Sequence, residues 1–341
     1  MRKIILLAIT VFLVSSISLY YGYFHTSPNM VFLGGHLPAS GEILNMISPQ
    51  LKQGYILSKN LFTSEWQPRI FLAPSYIPVA LLQILLSGKD LIAINSIRVI
   101  YIFIFLAVLY KLSFLFFKKS EIWQVLLLTT FTSGFGFLLK FFIPNSIDLW
   151  IPEANVFHTL LYSTNFIYNQ FFLLLAFYFF IKYELAKNNK HLIFSSLALS
   201  LVALEHQFDA ITFFLTVFLF LLFVEKNFKI FLKKVIELWP FILPLGILVF
   251  QSFLVFHYPN VSAWTKQTHL DSPSALAFIS GFGIMGIFAG YFIAKNEWKK
   301  LSIPYQIIIF WLISVLLLIY SPIPFQRRFT EGVFIPICLL G

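Results

Sequence analysis

Long apolar runs, separated by short polar stretches, follow one another along almost the whole chain. Several of these runs continue for about 20 residues with almost no charge, which is the length of an α-helix that crosses a hydrocarbon core of ~30 Å. The pattern predicts an all-α, polytopic membrane protein with about ten transmembrane helices in one transmembrane domain over residues 1–341. The predicted spans are 4–23, 93–117, 121–142, 158–181, 191–207, 208–224, 236–256, 274–294 and 303–320, with a last one starting near 331.

The first outer loop, residues 24–92, contains one more apolar stretch, 70–87, which decides the topology. Pro74 and Pro78 favour a bent helix in the membrane interface over a crossing helix. If this stretch does not cross, most lysines and arginines of the loops fall on the side of the N-terminus. The positive-inside rule then places the N-terminus in the cytoplasm, and the first loop and a second one, 143–157, outside.

Composition agrees with a membrane protein, since 59% of the residues are hydrophobic and only 11% are charged, against roughly 25% charged residues in soluble domains. The net charge of +10 therefore reports topology, and no nucleic-acid partner is predicted. The single cysteine, Cys338, excludes an internal disulfide and a cysteine-based metal cluster. The glycines of "SGFGF" and "SGFGIMG" are predicted to be close-packing positions and not phosphate cradles.

Candidate chemistry lies on the predicted outer side, where most of the 14 acidic residues and 7 histidines fall. The second outer loop, in "DLWIPEANVF", contains Asp148, Glu153 and Asn155. Such side chains either solvate a loop or take part in chemistry, as a general base or as ligands of a hard divalent cation.

Polar residues also interrupt two other apolar stretches. "LEHQFDAITFF" places Glu205, His206 and Asp209 where two predicted spans meet with almost no loop. These groups need partners or a cavity, or they form a local helix break. "SPIPFQRRFTEG" places Arg327 and Arg328 together at an outer edge, where such a pair holds a phosphate bidentately or extends towards lipid headgroups.

Arginines and carboxylates on one outer surface suit the transfer of a sugar from a polyprenyl-phosphate carrier. Arg327 and Arg328 would bind the leaving phosphate; Arg98, near the outer start of its span, would reach a lipid phosphate, pair with an acid or extend to the interface. One carboxylate would take the proton from the acceptor hydroxyl, and a second would orient the acceptor or hold a divalent cation, Mg²⁺ or Mn²⁺. The reaction needs no nucleotide, and the sequence contains no P-loop or Rossmann glycine pattern.

Four patches of the sequence resemble the polytopic GT-C-type glycosyltransferases, the group that contains protein mannosyltransferases, aminoarabinose transferases and the catalytic subunits of oligosaccharyltransferases. The resemblance implies a GT-C-like fold, an outer active site fed by a sugar on polyprenyl phosphate, and inversion at the sugar carbon. It also implies that the stretch 70–87 lies along the membrane. The matching patches are 51–68, 132–140 leading into 148–157, 205–214 and 326–332.

The chain departs from this group in its first outer loop. An Asp usually serves there as the catalytic base, whereas this loop offers Glu42, and Gln67 stands where a His is common. The group also continues past the arginine pair with further spans, whereas this sequence stops inside an apolar run at Gly341. The resemblance therefore predicts a C-terminally truncated member.

We predict a glycosyltransferase of the plasma or inner membrane that acts in cell-envelope glycosylation, on a lipid, glycan or protein acceptor, at the extracytoplasmic face. The alternatives are an inactive relative that binds polyprenyl-phosphate lipid and a lipid or sugar transporter. The predicted residues are Glu42 or Asp148 as base, Glu153 with Asp148 as acceptor or metal ligands, Arg327, Arg328 and Arg98 as donor-phosphate ligands, and Asn155, His206 and Asp209 as site-shaping groups.

Overall fold

In a computed structural model, the described residues are 2–30, 38–87, 90–162, 164–225, 227–267, 270–323 and 325–341. This part of the chain is built from helices, with a single isolated bridge between Ser58 and Phe71, and the all-α prediction is confirmed. The α-helices are α1 (Arg2–His25), α2 (Pro38–Lys52), α3 (Ile77–Leu85), α4 (Asp90–Ser113), α5 (Ile122–Phe131), α6 (Gly136–Leu139), α7 (Ile147–Trp150), α8 (Val156–Tyr162), α9 (Thr164–Ala186), α10 (Asn189–Glu205), α11 (Gln207–Val224), α12 (Phe228–Glu237), α13 (Ile242–His257), α14 (Pro259–Gln267), α15 (Ala275–Ser280), α16 (Gly283–Lys295), α17 (Ile303–Ile319) and α18 (Phe334–Leu340). Short 3-10 turns cover Pro152–Ala154, Trp239–Phe241, Trp298–Lys300 and Gln326–Thr330.

Within the described ranges, 6 helical segments are long and apolar enough to cross a membrane. They are α1, α4, Ile122–Leu139, α9, α11 and Trp239–His257. Two further apolar helices, α16 and α17, are shorter, with 13 and 17 residues. The structure therefore supports a multi-pass membrane protein, while the predicted number of about ten spans is not confirmed.

Two predicted spans are broken at their glycine motifs, one between α5 and α6 and the other between α15 and α16. The two breaks lie against each other, because the Phe135 N–H donates to the Ser280 carbonyl oxygen at 2.8 Å. A Cβ atom at Gly134 would overlap the backbone of Gly281. The glycines thus permit close packing, as the sequence predicts, but they do so at helix ends and divide the two spans.

The stretch 70–87, predicted to lie in the interface, contains only a short helix. α3 has 9 residues and is therefore about 14 Å long, which is less than half of a hydrocarbon core of ~30 Å. Pro78 lies in the first turn of α3, where its missing N–H breaks no helical hydrogen bond. α3 packs with α2 and α4 around Leu44, Val79 and Ile94. This small core attaches the first outer loop to the helix bundle.

α9 is the central helix of the bundle. Inside the protein, 72% of its apolar segment is buried, compared with 17% of the segment Trp239–His257. Phe177 of α9 stacks on Trp311 of α17 with a ring-centroid distance of 4.3 Å. α13, by contrast, leaves Phe250 and Phe256 exposed, as a helix at the lipid-facing surface does. The side chains of α9 therefore define the interior against which the outer loops fold.

Candidate functional site

The polar site begins where α10 ends and α11 starts. His206 separates the two helices with an extended backbone, φ −142° and ψ 90°. The His206 N–H still donates to the Val202 carbonyl oxygen at 2.7 Å, so the end of α10 keeps this hydrogen bond. Asp209 lies in the first turn of α11, where the helix dipole favours a negative charge. The sequence left open whether these polar residues have buried partners or form a helix break. The structure shows both, because the break between α10 and α11 turns the polar side chains towards one another.

His206, Asp209 and Glu331 form a buried group, called the His–acid cluster below. His206 Nδ1 lies 2.8 Å from Glu331 Oε2 and 3.5 Å from Asp209 Oδ2. Asn169 of α9 donates its side-chain amide to Asp209 and, at 3.0 Å, to Glu331 Oε1. The two acids and Asn169 are at most 1% exposed. The cluster therefore joins α9, α11 and the loop that precedes α18.

The two carboxylates determine the charge of His206. Burial by itself lowers the pKa of an imidazole, because water no longer stabilises the charged form. The carboxylates of Glu331 and Asp209 outweigh this effect and hold the pKa of His206 well above its ordinary value.

Glu331 enters the cluster directly after the 3-10 turn Gln326–Thr330, which carries both arginines of the predicted phosphate site. Arg328 Nη1 lies 3.8 Å from Glu153 Oε1, and the Gly332 N–H donates to the Glu153 carbonyl oxygen at 3.0 Å. Gly332 has a positive φ of 68°, which glycine adopts without steric cost. The structure thus brings Glu153, the arginine turn and the His–acid cluster together.

Arg327 faces different surroundings from Arg328. It lines an open cleft of about 380 Å³ whose wall also includes Trp150 and Asp271. The Arg327 Nε is buried and has no hydrogen-bond partner among the described residues. None of the ion pairs in the described part of the chain includes Arg327. An anion that enters the cleft therefore meets a guanidinium group that forms no ion pair with the described residues.

Glu205 attaches the first outer loop to the bundle. Its carboxylate accepts hydrogen bonds from the Ser75 N–H at 2.9 Å and from the Ser75 hydroxyl at 2.6 Å. The Tyr101 hydroxyl donates to the Ser75 carbonyl oxygen at 3.2 Å. The segment just before α3 is therefore bonded to the end of α10 and to α4.

An apolar groove lies beside this attachment. It has a volume of about 480 Å³, and its walls include Ile70 and Leu72 of the first outer loop, Leu204 of α10 and Phe250 of α13. Leu204 directly precedes Glu205 in the chain. One wall of the groove is α13, so the groove lies between the exposed apolar surface of this helix and the polar junction.

Asp148, a predicted base, is engaged by Ser146 of its own loop and by residues at the break between α5 and α6. Its carboxylate accepts hydrogen bonds from the Gly136 N–H at 3.1 Å, from the Ser133 hydroxyl at 3.3 Å and from the Ser146 hydroxyl. A Cβ atom at Gly136 would overlap this carboxylate. Asp148 does not line the cleft around Arg327. The geometry gives Asp148 a role in joining the second outer loop to the break between α5 and α6.

Asn155 and Arg98 were also predicted as site residues, but they lie apart from the Arg327 cleft. The side chain of the third predicted residue, Glu42, is not described. Asn155 Oδ1 caps the N-terminus of α8 by accepting a backbone N–H at 3.0 Å. Arg98 is 2% exposed and donates to the Ser16 hydroxyl and, at 3.1 Å, to the Leu161 carbonyl oxygen. This burial gives no support to a lipid-phosphate role for Arg98. The side chain of Glu42 lies outside the described residues, and its role as base stays a prediction.

The predicted metal ligands, Asp148 and Glu153, each have other partners. Asp148 accepts its three hydrogen bonds, and Glu153 faces Arg328. Within the described ranges, the His–acid cluster is the group of three His, Cys, Asp or Glu side chains close enough to share one ion, with ligand atoms all within 4.8 Å of one another. The geometry therefore favours this cluster over the predicted pair.

Comparisons with protein-family models, with curated proteins and with solved structures find no match. The resemblance to GT-C-type enzymes stays a prediction that rests on sequence patches, so the function has to be argued from the site itself.

Two members of the site, Glu331 and Asn169, were not among the residues that the sequence predicted. Glu331 follows the arginine pair in the patch "QRRFTEG" and directly precedes an apolar run. An acid at one end of an apolar run was the feature of the sequence that could have identified it as a site residue. Asn169 and Gln170 form a polar pair inside a predicted span, and polar groups at such positions indicate buried partners. Gln170 Nε2 indeed donates to the Glu153 carbonyl oxygen at 3.0 Å.

Proposed function

We propose that this protein is a membrane glycosyltransferase that moves a sugar from a polyprenyl-phosphate carrier to an acceptor hydroxyl on the extracytoplasmic face of the plasma or inner membrane. The observation that carries the proposal is the turn Gln326–Thr330, which presents Arg327 to an open cleft and leads straight into Glu331 of the His–acid cluster. A phosphate ligand and an acid–base group thus come from one short segment, as transfer from a sugar phosphate requires.

The donor phosphate binds to Arg327 in the cleft. A guanidinium group offers parallel N–H donors that match two phosphate oxygens, and Arg327 forms no ion pair with the described residues. Arg328 stays beside Glu153 and adds positive potential at the same turn. When the bond between sugar and phosphate breaks, the phosphate gains negative charge, and a prepositioned guanidinium stabilises that charge.

The hydrocarbon chain of the donor lies in the apolar groove. The groove has a wall formed by lipid-facing α13, so a polyprenyl chain enters it from the bilayer. Leu204 in its wall is adjacent in the chain to Glu205 at the polar junction.

The His–acid cluster activates the acceptor. The acceptor hydroxyl oxygen attacks the anomeric carbon, the bond from that carbon to the phosphate oxygen breaks, and its electron pair stays on the phosphate. The hydroxyl proton passes to a carboxylate acting as general base. We assign this step to Glu331, which follows the arginine turn directly and whose Oε2 is paired with His206 at 2.8 Å. Attack opposite the phosphate inverts the anomeric centre.

The proposal is tested by donor turnover in proteoliposomes that contain the purified full-length chain. Labelled polyprenyl-phosphate hexoses serve as donors, and a membrane extract supplies acceptors. We expect release of polyprenyl phosphate and transfer of the label, both lost in Glu331→Gln and reduced in Arg327→Ala. Lys300→Ala is the control, since Lys300 is an exposed basic side chain in a predicted cytoplasmic loop.

The outcomes separate the three classes of function. Monodisperse protein that neither releases polyprenyl phosphate nor transfers sugar from any donor would refute the proposal. Donor binding without release would identify a lipid-binding protein, and movement of the lipid across sealed vesicles without an acceptor would identify a transporter.

A further inference from the structure

We infer that the His–acid cluster binds one divalent first-row transition-metal cation, of the type of Mn²⁺ or Zn²⁺, through His206 Nδ1 and the carboxylates of Asp209 and Glu331. This inference concerns ion binding alone and holds whether or not the protein transfers sugars. The three donor atoms lie within 4.8 Å of one another. A tetrahedral ion with bonds of about 2.0–2.2 Å separates its ligand atoms by about 3.3–3.6 Å. The 3.5 Å between His206 Nδ1 and Asp209 Oδ2 matches this spacing, and the 2.8 Å between His206 Nδ1 and Glu331 Oε2 has to widen when the ion binds.

Two of the donor atoms are buried without a hydrogen bond. His206 Nδ1 and Glu331 Oε2 form an ion pair at 2.8 Å, and neither atom has a well-formed hydrogen bond with the described residues. A buried carboxylate oxygen without a hydrogen bond is costly. A cation placed between the two atoms would accept a lone pair from each and satisfy both.

The charge of the cluster also favours a cation. Asp209 and Glu331 are both buried, and no lysine or arginine forms an ion pair with either of them in the described part of the chain. Two buried carboxylates repel each other unless a positive charge lies between them. A divalent cation bound by both carboxylates places this positive charge between them.

The donor set selects the kind of ion. One imidazole nitrogen with two carboxylates suits Mn²⁺ or Zn²⁺ better than Mg²⁺ or Ca²⁺, which prefer oxygen ligands only. Asn169 can supply a fourth donor, because its amide already contacts both acids and its Oδ1 is buried without a hydrogen-bond partner among the described residues. A half-turn of this amide brings the oxygen to the cluster. The cation that the sequence predicts at Asp148 and Glu153 therefore binds here instead.

The first test is a titration of the full-length chain, purified in detergent and stripped of metal, with Mn²⁺ followed by electron paramagnetic resonance. We expect one class of site per chain, from which Zn²⁺ displaces Mn²⁺. Glu331→Gln and His206→Asn should weaken Mn²⁺ binding by at least about 100-fold. Loss of a residue that only hydrogen-bonds to a metal ligand typically weakens binding by about 10–100-fold, and loss of a ligand itself should cost at least as much.

The matched control is Glu205→Gln, because Glu205 is a half-buried carboxylate next to His206 in the chain and its oxygens already accept the Ser75 hydrogen bonds. It should change Mn²⁺ affinity by no more than a factor of a few. Equal affinities of the wild type and of monodisperse Glu331→Gln would overturn the inference, as would the absence of saturable Mn²⁺ binding by the wild type.

A second measurement decides the matter even if these variants do not fold. Pulsed paramagnetic resonance of Mn²⁺ bound to the wild-type chain should show coupling to one imidazole nitrogen, and the coupling should change when histidine is labelled with nitrogen-15. Bound Mn²⁺ without this coupling would overturn the inference. Neither measurement needs turnover, so a failed transfer assay leaves this result unaffected.

Discussion

The contact between Arg328 and Glu153 connects the arginine turn to the loop after α7, and its removal gives a sharp test of the site's geometry. Arg328→Met keeps the length of the side chain but removes its charge. Glu153 then remains 3% exposed with no cation beside it, and its Oε1 accepts no hydrogen bond from the described residues. We therefore expect a loss of stability that originates at Glu153 and not at Arg328.

The magnitude follows from the distance and the exposure. Two unit charges 3.8 Å apart attract each other by about 4 kcal/mol at an effective dielectric constant of 20. The Arg328 side chain is 30% exposed, so solvent already screens part of this attraction. We expect Arg328→Met to lower the free energy of unfolding by about 1–3 kcal/mol.

The assay is thermal unfolding of the purified variants in one detergent, followed by tryptophan fluorescence. Arg328→Met should lower the Tm by several degrees. The double variant Arg328→Met/Glu153→Gln should recover about half of this loss or more, because a neutral amide replaces the unpaired buried carboxylate. Arg327→Met is the matched control and should leave the Tm unchanged, since Arg327 has no acidic partner among the described residues.

Two results would contradict this reasoning. If the single and the double variants unfold at the same temperature, Glu153 is not the origin of the loss. If Arg327→Met destabilises the protein as much as Arg328→Met, the difference between the two arginines does not exist.

Three further expectations follow from contacts elsewhere. Arg327→Ala should weaken binding of polyprenyl phosphate by about 10–100-fold, because a hydrogen bond to a charged group contributes about 1.5–3 kcal/mol; unchanged affinity in a lipid-binding titration would place the phosphate elsewhere. Gly281→Ala should abolish the yield of monodisperse protein, because its Cβ would overlap a neighbouring side chain, whereas Gly246→Ala, with open space around its Cβ, should fold and gain up to about 1 kcal/mol. Ser75→Ala should raise hydrogen exchange in the segment before α3, because it removes the 2.6 Å bond to Glu205; unchanged exchange would show that the backbone bond alone holds this segment.

Local features of the sequence were enough to predict the class of the protein and most of its helices. Run length and composition indicated a membrane protein with α-helices, because a segment in lipid has to satisfy its backbone internally. The local reading also identified the polar junction at His206 and Asp209, since polar groups inside an apolar stretch require partners. The short helix within 70–87 agrees with Pro74 and Pro78, whose effect on the backbone is local, and its position in the interface stays a prediction.

Only the tertiary structure decided which of the polar groups meet. Asp148 and Glu331 are both acids on the predicted outer side, yet one binds the break between α5 and α6 while the other joins His206. Asn169 and Glu331 are 162 positions apart, so their contact depends on how α9 packs against the outer loops. Hydropathy does not reveal this packing, because lipid and protein interior are equally apolar and no helix face is marked by polarity. Run length therefore predicts where a helix lies in the chain, and side-chain packing determines which helix it touches.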